Sequence, residues 1–408
     1  MTIHQPTRPP ETPSSPQPST RRRRLLVTAV SAAVAVVVAV PIALQGGDFF
    51  GDSTAPAPSS SPTPTGGTTS SGPTPSTLHS PSSSPSTQPV TAALDVTHLR
   101  VGAVPALGYL HRGLLHLPGG DIVTPATRAP VVAFARTRDG ATAYLTERDT
   151  TFGVEIALAD GTRLGPFAAG YGLALNADRT IVAWLSPAGT PQVWQAGLTA
   201  PRSLGSALPG NSHRLAAVTG HDCSTATGCT VYASSWQGSP RAWAVAGDGR
   251  RAQADPAGRL VGVHDATDQG WLVGYTRITD SGSRSGVIDG AAPGRPLRWS
   301  TSRHTLDTFS PGQDYLLAGP AYRDGIGDSL VAVYDVDGRL LTDRRMSAQH
   351  PGFVQSARWE DATHVLVTVF QRSHWSVVRL SVDGSLEYAV PPVRGSEMRG
   401  PFVLETTP

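Results

Sequence analysis

The 408-residue chain contains no lysine; all 33 of its basic residues are arginine. It has only two cysteines and three methionines, and 6% of its residues are aromatic. After Leu44 it has no long apolar run and no convincing helical period. Each shortage excludes something. Without a 3.6-residue apolar period, helical bundles are out. Two cysteines, with only His221 close by, do not make a finger-like zinc site. Residues 93–408 hold 28 arginines and 28 acidic residues, so they lack the basic face that nucleic-acid binders need.

What is present begins with a charge step. Arg21, Arg22, Arg23 and Arg24 are followed by residues 25–44, which carry no charge. At about 1.5 Å per helical residue this run spans about 30 Å, one bilayer core. The arginines set the topology: they stay in the cytoplasm, and everything after Leu44 lies outside the cell membrane. A cleaved signal peptide is the competing reading, with an apolar core of about 7–15 residues and a small-x-small site. Here the run is longer and the sites are poor. Pro41 and Ala43 flank Ile42, and Pro58 follows Ala55-Pro56-Ala57. The expected organisation is a disordered cytoplasmic tail (1–24), a single transmembrane helix (25–44), a Pro/Ser/Thr-rich linker (45–92) and a folded extracellular domain (93–408). Such a linker spans about 35–40 Å as a coil and about 150 Å when stretched.

Cys223 and Cys229 lie in the exported part, where disulfides persist. Their spacing suits a disulfide that closes a short loop.

The folded part is a series of short β-rich runs, among them VVAFAR, IVAWLS, SLVAVYDV and HVLVTVF. Asp-Gly pairs punctuate them at 139–140, 160–161, 248–249, 289–290, 337–338 and 383–384. Asp-Gly favours the type I′ hairpin turn. The fold class is therefore all-β and antiparallel. Turn-then-strand units recur about every 40–50 residues, the period of a four-stranded propeller blade. Seven blades fit, near 97–130, 131–166, 167–206, 211–254, 257–301, 304–347 and 350–395; six is the alternative. The first unit is one strand short, while apolar Phe402, Val403 and Leu404 are left over at the end. This predicts that 401–405 supplies the inner strand of blade one. The alternative is that 97–101 pairs with the outer edge of blade seven.

The units FSPGQDYLLAG, LNADRTIVAWLS and ARWEDATHVLVTV approximate a "SPDG-x-x-hydrophobic-A" signature. In this the chain resembles the membrane-anchored WD40-like or TolB-like propeller repeat proteins of actinobacteria, a source that the lysine-free composition also suits. The resemblance implies a repeat scaffold and no particular activity. True WD40 Gly-His and Trp-Asp pairs are missing.

Gly327-Asp328-Ser329-Leu330 spells the nucleophile block of a lipase family, but neither the βα scaffold nor a late Asp-x-x-His accompanies it. Asp335 and Asp337 resemble part of a calcium loop; a strand end and a turn account for both. His111 and His116, like His364 and His374, lack carboxylate partners at metal-site spacing. The eight tryptophans are expected to pack between blades. No catalytic residue, cofactor or metal is assigned. The expected function is a monomeric binding scaffold for an extracellular protein, peptide or glycan. The alternative is a glycan-active enzyme in the central channel. Two or three carboxylates in that channel would favour the enzyme; a mixed lining would favour binding.

Overall fold

The computed structural model describes residues 90–408 except 211, 237–239 and 324–325. The tail, the span at 25–44, Arg21, Arg22, Arg23, Arg24 and the linker up to residue 89 lie outside the described residues. Among those described, no helix is long and apolar enough to cross a membrane.

The strands form seven sheets of four antiparallel strands, one of which gains a fifth. Blades two to seven occupy 131–169, 174–203, 213–253, 262–301, 304–346 and 352–394. These lie close to the blade boundaries read from the repeats, and the count is seven rather than six. A blade is covered on both faces by its neighbours. Its middle strands therefore read as continuous apolar runs rather than alternating ones. In His364–Gln371, positions 365, 366, 367 and 369 are all 0% exposed. Trp184, Trp194, Trp359 and Trp375 are buried, and none of the other four is exposed. They pack, as expected.

The Asp-Gly turns differ from expectation. At 140, 161, 249, 338 and 384 only the glycine has positive φ. Each glycine amide donates to the carbonyl three residues earlier, as in Gly140 to Thr137 at 3.1 Å. The aspartate thus sits in the third position of a type I turn, and a left-handed glycine restores the strand twist. Type I′ would need the aspartate left-handed as well.

Blade one closes the ring. Its strands are Phe402–Leu404, Tyr109–His111, Leu114–His116 and Ile122–Val123, in that order. Tyr109 faces Leu404 and His111 faces Phe402. Glu405, 1% exposed, then extends the clasp to two further blades. It forms a parallel bridge with Phe134 of blade two. Its carboxylate accepts the Gly108 amide at 2.9 Å and pairs with Arg179 of blade three.

The other end forms a belt. Val90–Leu94 pairs in parallel with 342–346 on the outer edge of blade six. Residues 90–92, assigned above to the linker, are thus part of a strand. From there the chain crosses to blade seven. Asp95 meets His350 at 2.9 Å, and Val101 bridges Tyr388 in parallel. Of the pairing considered as an alternative to ring closure, a single bridge at Val101 is present alongside it. Ala106 donates to Glu360 at 2.6 Å before the chain enters blade one.

Cys223 and Cys229 are bonded, with Cα atoms 4.9 Å apart, in the first turn of blade four. Both sulfurs sit in an apolar cluster with Val193, Leu204 and Val231. Closing so short a loop contributes about 2 kcal/mol by chain entropy. Replacing both by Ala should cost about that and keep the fold. Replacing both by Ser should cost more, because two hydroxyls would be buried without partners. Urea unfolding of the two variants checks the order.

Candidate functional site

The first strands of all seven blades converge on an axial cavity of about 470 Å³. Their register explains which side chains enter it. Five of these strands carry one extra residue, placing bulges at Val132, Ala216, His264, Asp307–Thr308 and Gln355. All of these residues line the cavity. A bulge re-aims a side chain that the pleat would otherwise send into a blade interface. The polar bulges fall on blades five, six and seven; the apolar ones fall on two and four.

Charged groups gather around Asp307. Arg214 enters from blade four, Arg323 from the 321–329 loop of blade six and Arg358 from blade seven. Asp307 is half-buried. Desolvation raises its carboxyl, but Arg323, Arg214, His264 and Arg358 outweigh that and hold it below the ordinary carboxylate value. Asp328 pairs with Arg323 at 3.3 Å. Asp265 accepts the amides of Phe309 and Ala266, each at 2.8 Å. Burial nevertheless pushes it up to about 7. Asp268, on the opposite face, accepts the Gly220 amide at 2.7 Å.

His264 is 7% exposed and packs edge-on against Tyr275 at 4.2 Å. Its Nδ1 donates to the Leu306 carbonyl, which leaves Nε2 as a lone-pair acceptor without a partner among the described residues. Burial, with Arg214 nearby, pushes it down to about 4.

A second constellation lies inside blade six. The Tyr334 hydroxyl meets His304 Nδ1 at 2.6 Å, and His304 Nε2 lies 3.5 Å from Asp343. Hydroxyl, imidazole and carboxylate stand in relay order, but His304 and Asp343 are 0% exposed, so no substrate reaches them. Burial pushes His304 down to about 4. An unfolded histidine titrates near about 6.5. Between those values the unfolded chain binds protons that the folded chain refuses. Stability is therefore complete above about pH 6.5 and falls as the pH drops toward 4. Asp265, raised on folding, has the opposite slope. His304→Gln should shrink the loss of stability between pH 7 and 4.5 by about 2 kcal/mol. Urea midpoints at both pH values check it; an unchanged loss would mean that His304 is protonated in the fold.

Of the residues singled out in the sequence for possible chemistry, Asp328 and Leu330 line the cavity, and the others lie elsewhere. Gly327–Leu330 crosses between blades: Asp328 bridges Val354, and a Cβ on Gly327 would come 2.3 Å from the Phe353 ring. Asp335 takes the Arg339 guanidinium at 3.0 Å, and Asp337 takes Arg298 at 3.1 Å. His111 stacks on Phe402, and His364 pairs with Asp361. Arg214, His264, Asp265, Asp307 and Arg358 drew no attention in the sequence. Their one signal is a charge inside an apolar first strand, as in HTLDTF and QSARW.

No protein-family profile matches the chain, and no curated protein does. Solved structures resemble it in fold. One, from a study of two prolyl endopeptidases, has a TM-score of 0.46 at 13% identity; the match covers 71% of this chain and 50% of that one. The chain thus matches half the length of that enzyme. The β-propeller domain of the trilobed protease from Pyrococcus furiosus has a TM-score of 0.44 at 9% identity, over 64% of this chain and 85% of that one. A protein described as TolB from Agrobacterium tumefaciens has a TM-score of 0.37 at 12% identity, over 57% and 85%.

Proposed function

We propose that the chain is a binding protein whose ligand enters the central channel, displayed outside the cell on a single N-terminal anchor. One observation supports binding over catalysis: most of the channel acids are already engaged. Asp265 and Asp268 hold backbone amides, Asp328 holds Arg323, and Asp307 stands among arginines. A glycosidase needs two carboxylates free to exchange protons across a bond. The lining holds four carboxylates, the feature set above as favouring an enzyme, together with three arginines and apolar side chains; the engagement of those acids is what supports binding.

Incubating the full-length protein with envelope polysaccharide should release no new reducing ends. Release that is abolished in Asp307→Asn would establish the glycan-active enzyme instead.

The location rests on the step from Arg24 into an uncharged span. A reporter active only outside the cytoplasm, fused after Pro408, should be active, and the protein should stay with membranes through a high-salt wash. A soluble mature form starting near residues 45–58 would show cleavage.

A further inference from the structure

The cavity lining holds four aspartates and three arginines, so a ligand of one sign alone gains little from net charge. His264, kept neutral by burial, leaves that balance unchanged. What the lining does offer is one cation and one anion that each lack a direct partner. Asp328 and Arg323 answer one another at 3.3 Å. Asp265 and Asp268 hold backbone amides. Arg358 donates to the neighbouring Ala357 carbonyl at 2.8 Å. Among the described residues, the Arg214 guanidinium closes no ion pair and makes no hydrogen bond, and the same is true of the half-buried Asp307 carboxylate.

These two stand on the first strands of blades four and six, with blade five between them. Arg214 draws the Asp307 carboxyl down through space, so each feels the other's charge. They remain too far apart to pair, which takes about 4 Å or less. A small molecule with a cation at one end and an anion at the other would close that gap. An extended dipeptide is such a molecule, with its charged ends about 7 Å apart.

We propose that the channel binds a short peptide by both of its charged ends, the terminal ammonium donating to Asp307 and the terminal carboxylate accepting from Arg214. The planar fork of a guanidinium matches a carboxylate, and an ammonium carries the donors that an aspartate needs. Each contact is strengthened by walls that weaken solvent screening. The apolar bulges at Val132 and Ala216 give small side chains a surface, and the volume of about 470 Å³ suits two or three residues. The ligand is neutral overall, so it leaves the near-balance of the lining as it was. The inference rests on the channel being a binding site and names what it takes.

The test is calorimetry on the full-length protein in detergent with three probes: dialanine, N-acetyl-dialanine, which lacks the ammonium, and dialanine amide, which lacks the carboxylate. Dialanine should bind saturably, at least about tenfold tighter than either capped form. Arg214→Gln should weaken dialanine about tenfold and leave the amide within about twofold, because the amide has no carboxylate to lose. Asp307→Asn should weaken dialanine by a similar factor and spare the N-acetyl form. Melting temperatures confirm that the variants are folded; should one unfold, the contrast among the three probes on the unaltered protein carries the test. Capped forms that bind as tightly as dialanine overturn recognition of the two ends and leave the binding reading intact. Saturable binding of none of the three, or a dialanine affinity unchanged in both variants, overturns the proposal. Release of free alanine overturns the binding reading itself.

Discussion

Deleting residues 399–408 should lower the melting temperature of the full-length protein by more than about 10 °C. The strand Phe402–Leu404 lends blade one its inner edge, and Phe402 and Leu404 are 3% and 5% exposed. Each such side chain contributes about 2–3 kcal/mol by burial. The deletion also removes Glu405 and bares the edge of Tyr109–His111 to pairing with other chains. Unfolding should become irreversible and dependent on protein concentration. Circular dichroism melts at two concentrations measure both effects. A shift below about 2 °C would mean that the ring holds without its clasp.

The second large effect is expected at Arg179. Its guanidinium pairs with Glu405 and donates twice to the Arg136 carbonyl, at 3.1 and 3.0 Å. It thereby ties blades one, two and three at one point. Arg179→Ala leaves Glu405 ionised and enclosed, a loss of about 3 kcal/mol or more. Adding Glu405→Gln removes the stranded charge and keeps an acceptor for Gly108. The double variant should recover at least half of that loss. Urea midpoints decide it. A single variant within about 0.5 kcal/mol of the unaltered protein, or a double variant no better than the single, would remove Glu405–Arg179 from the clasp.

Ring closure was legible because it concerns a strand-sized surplus at one end and a strand-sized deficit at the other. Blade number and the disulfide were legible for similar reasons of spacing. The belt was not. Val90–Leu94 reads VTAAL, too short to stand out at the end of a low-complexity stretch, and its partner lies some 250 residues away. The bulges were hidden for a sharper reason. One inserted residue shifts a period-two pattern by a single place, and a strand buried on both faces shows no such pattern. His264 and Asp307 of the channel site sit at such insertions, whereas Arg214 and Arg358 lie in regular register. Arg214, His264, Asp307 and Arg358 come from separate blades, and only the ring brings them together.

The belt also sets an order in which contacts would meet a pull from the N-terminal side. A pull transmitted through Val90 reaches the five-residue ladder on blade six first. The Asp95–His350 contact and the Val101–Tyr388 bridge come next, then the hold of Glu360 on Ala106. Each can yield without parting a strand of any blade's own four, and the Glu405 clasp lies beyond them all. Should the anchor proposed above carry load, the belt would act as a mechanical fuse, paying out the run from Val90 to Ala106 before any blade parts its own strands.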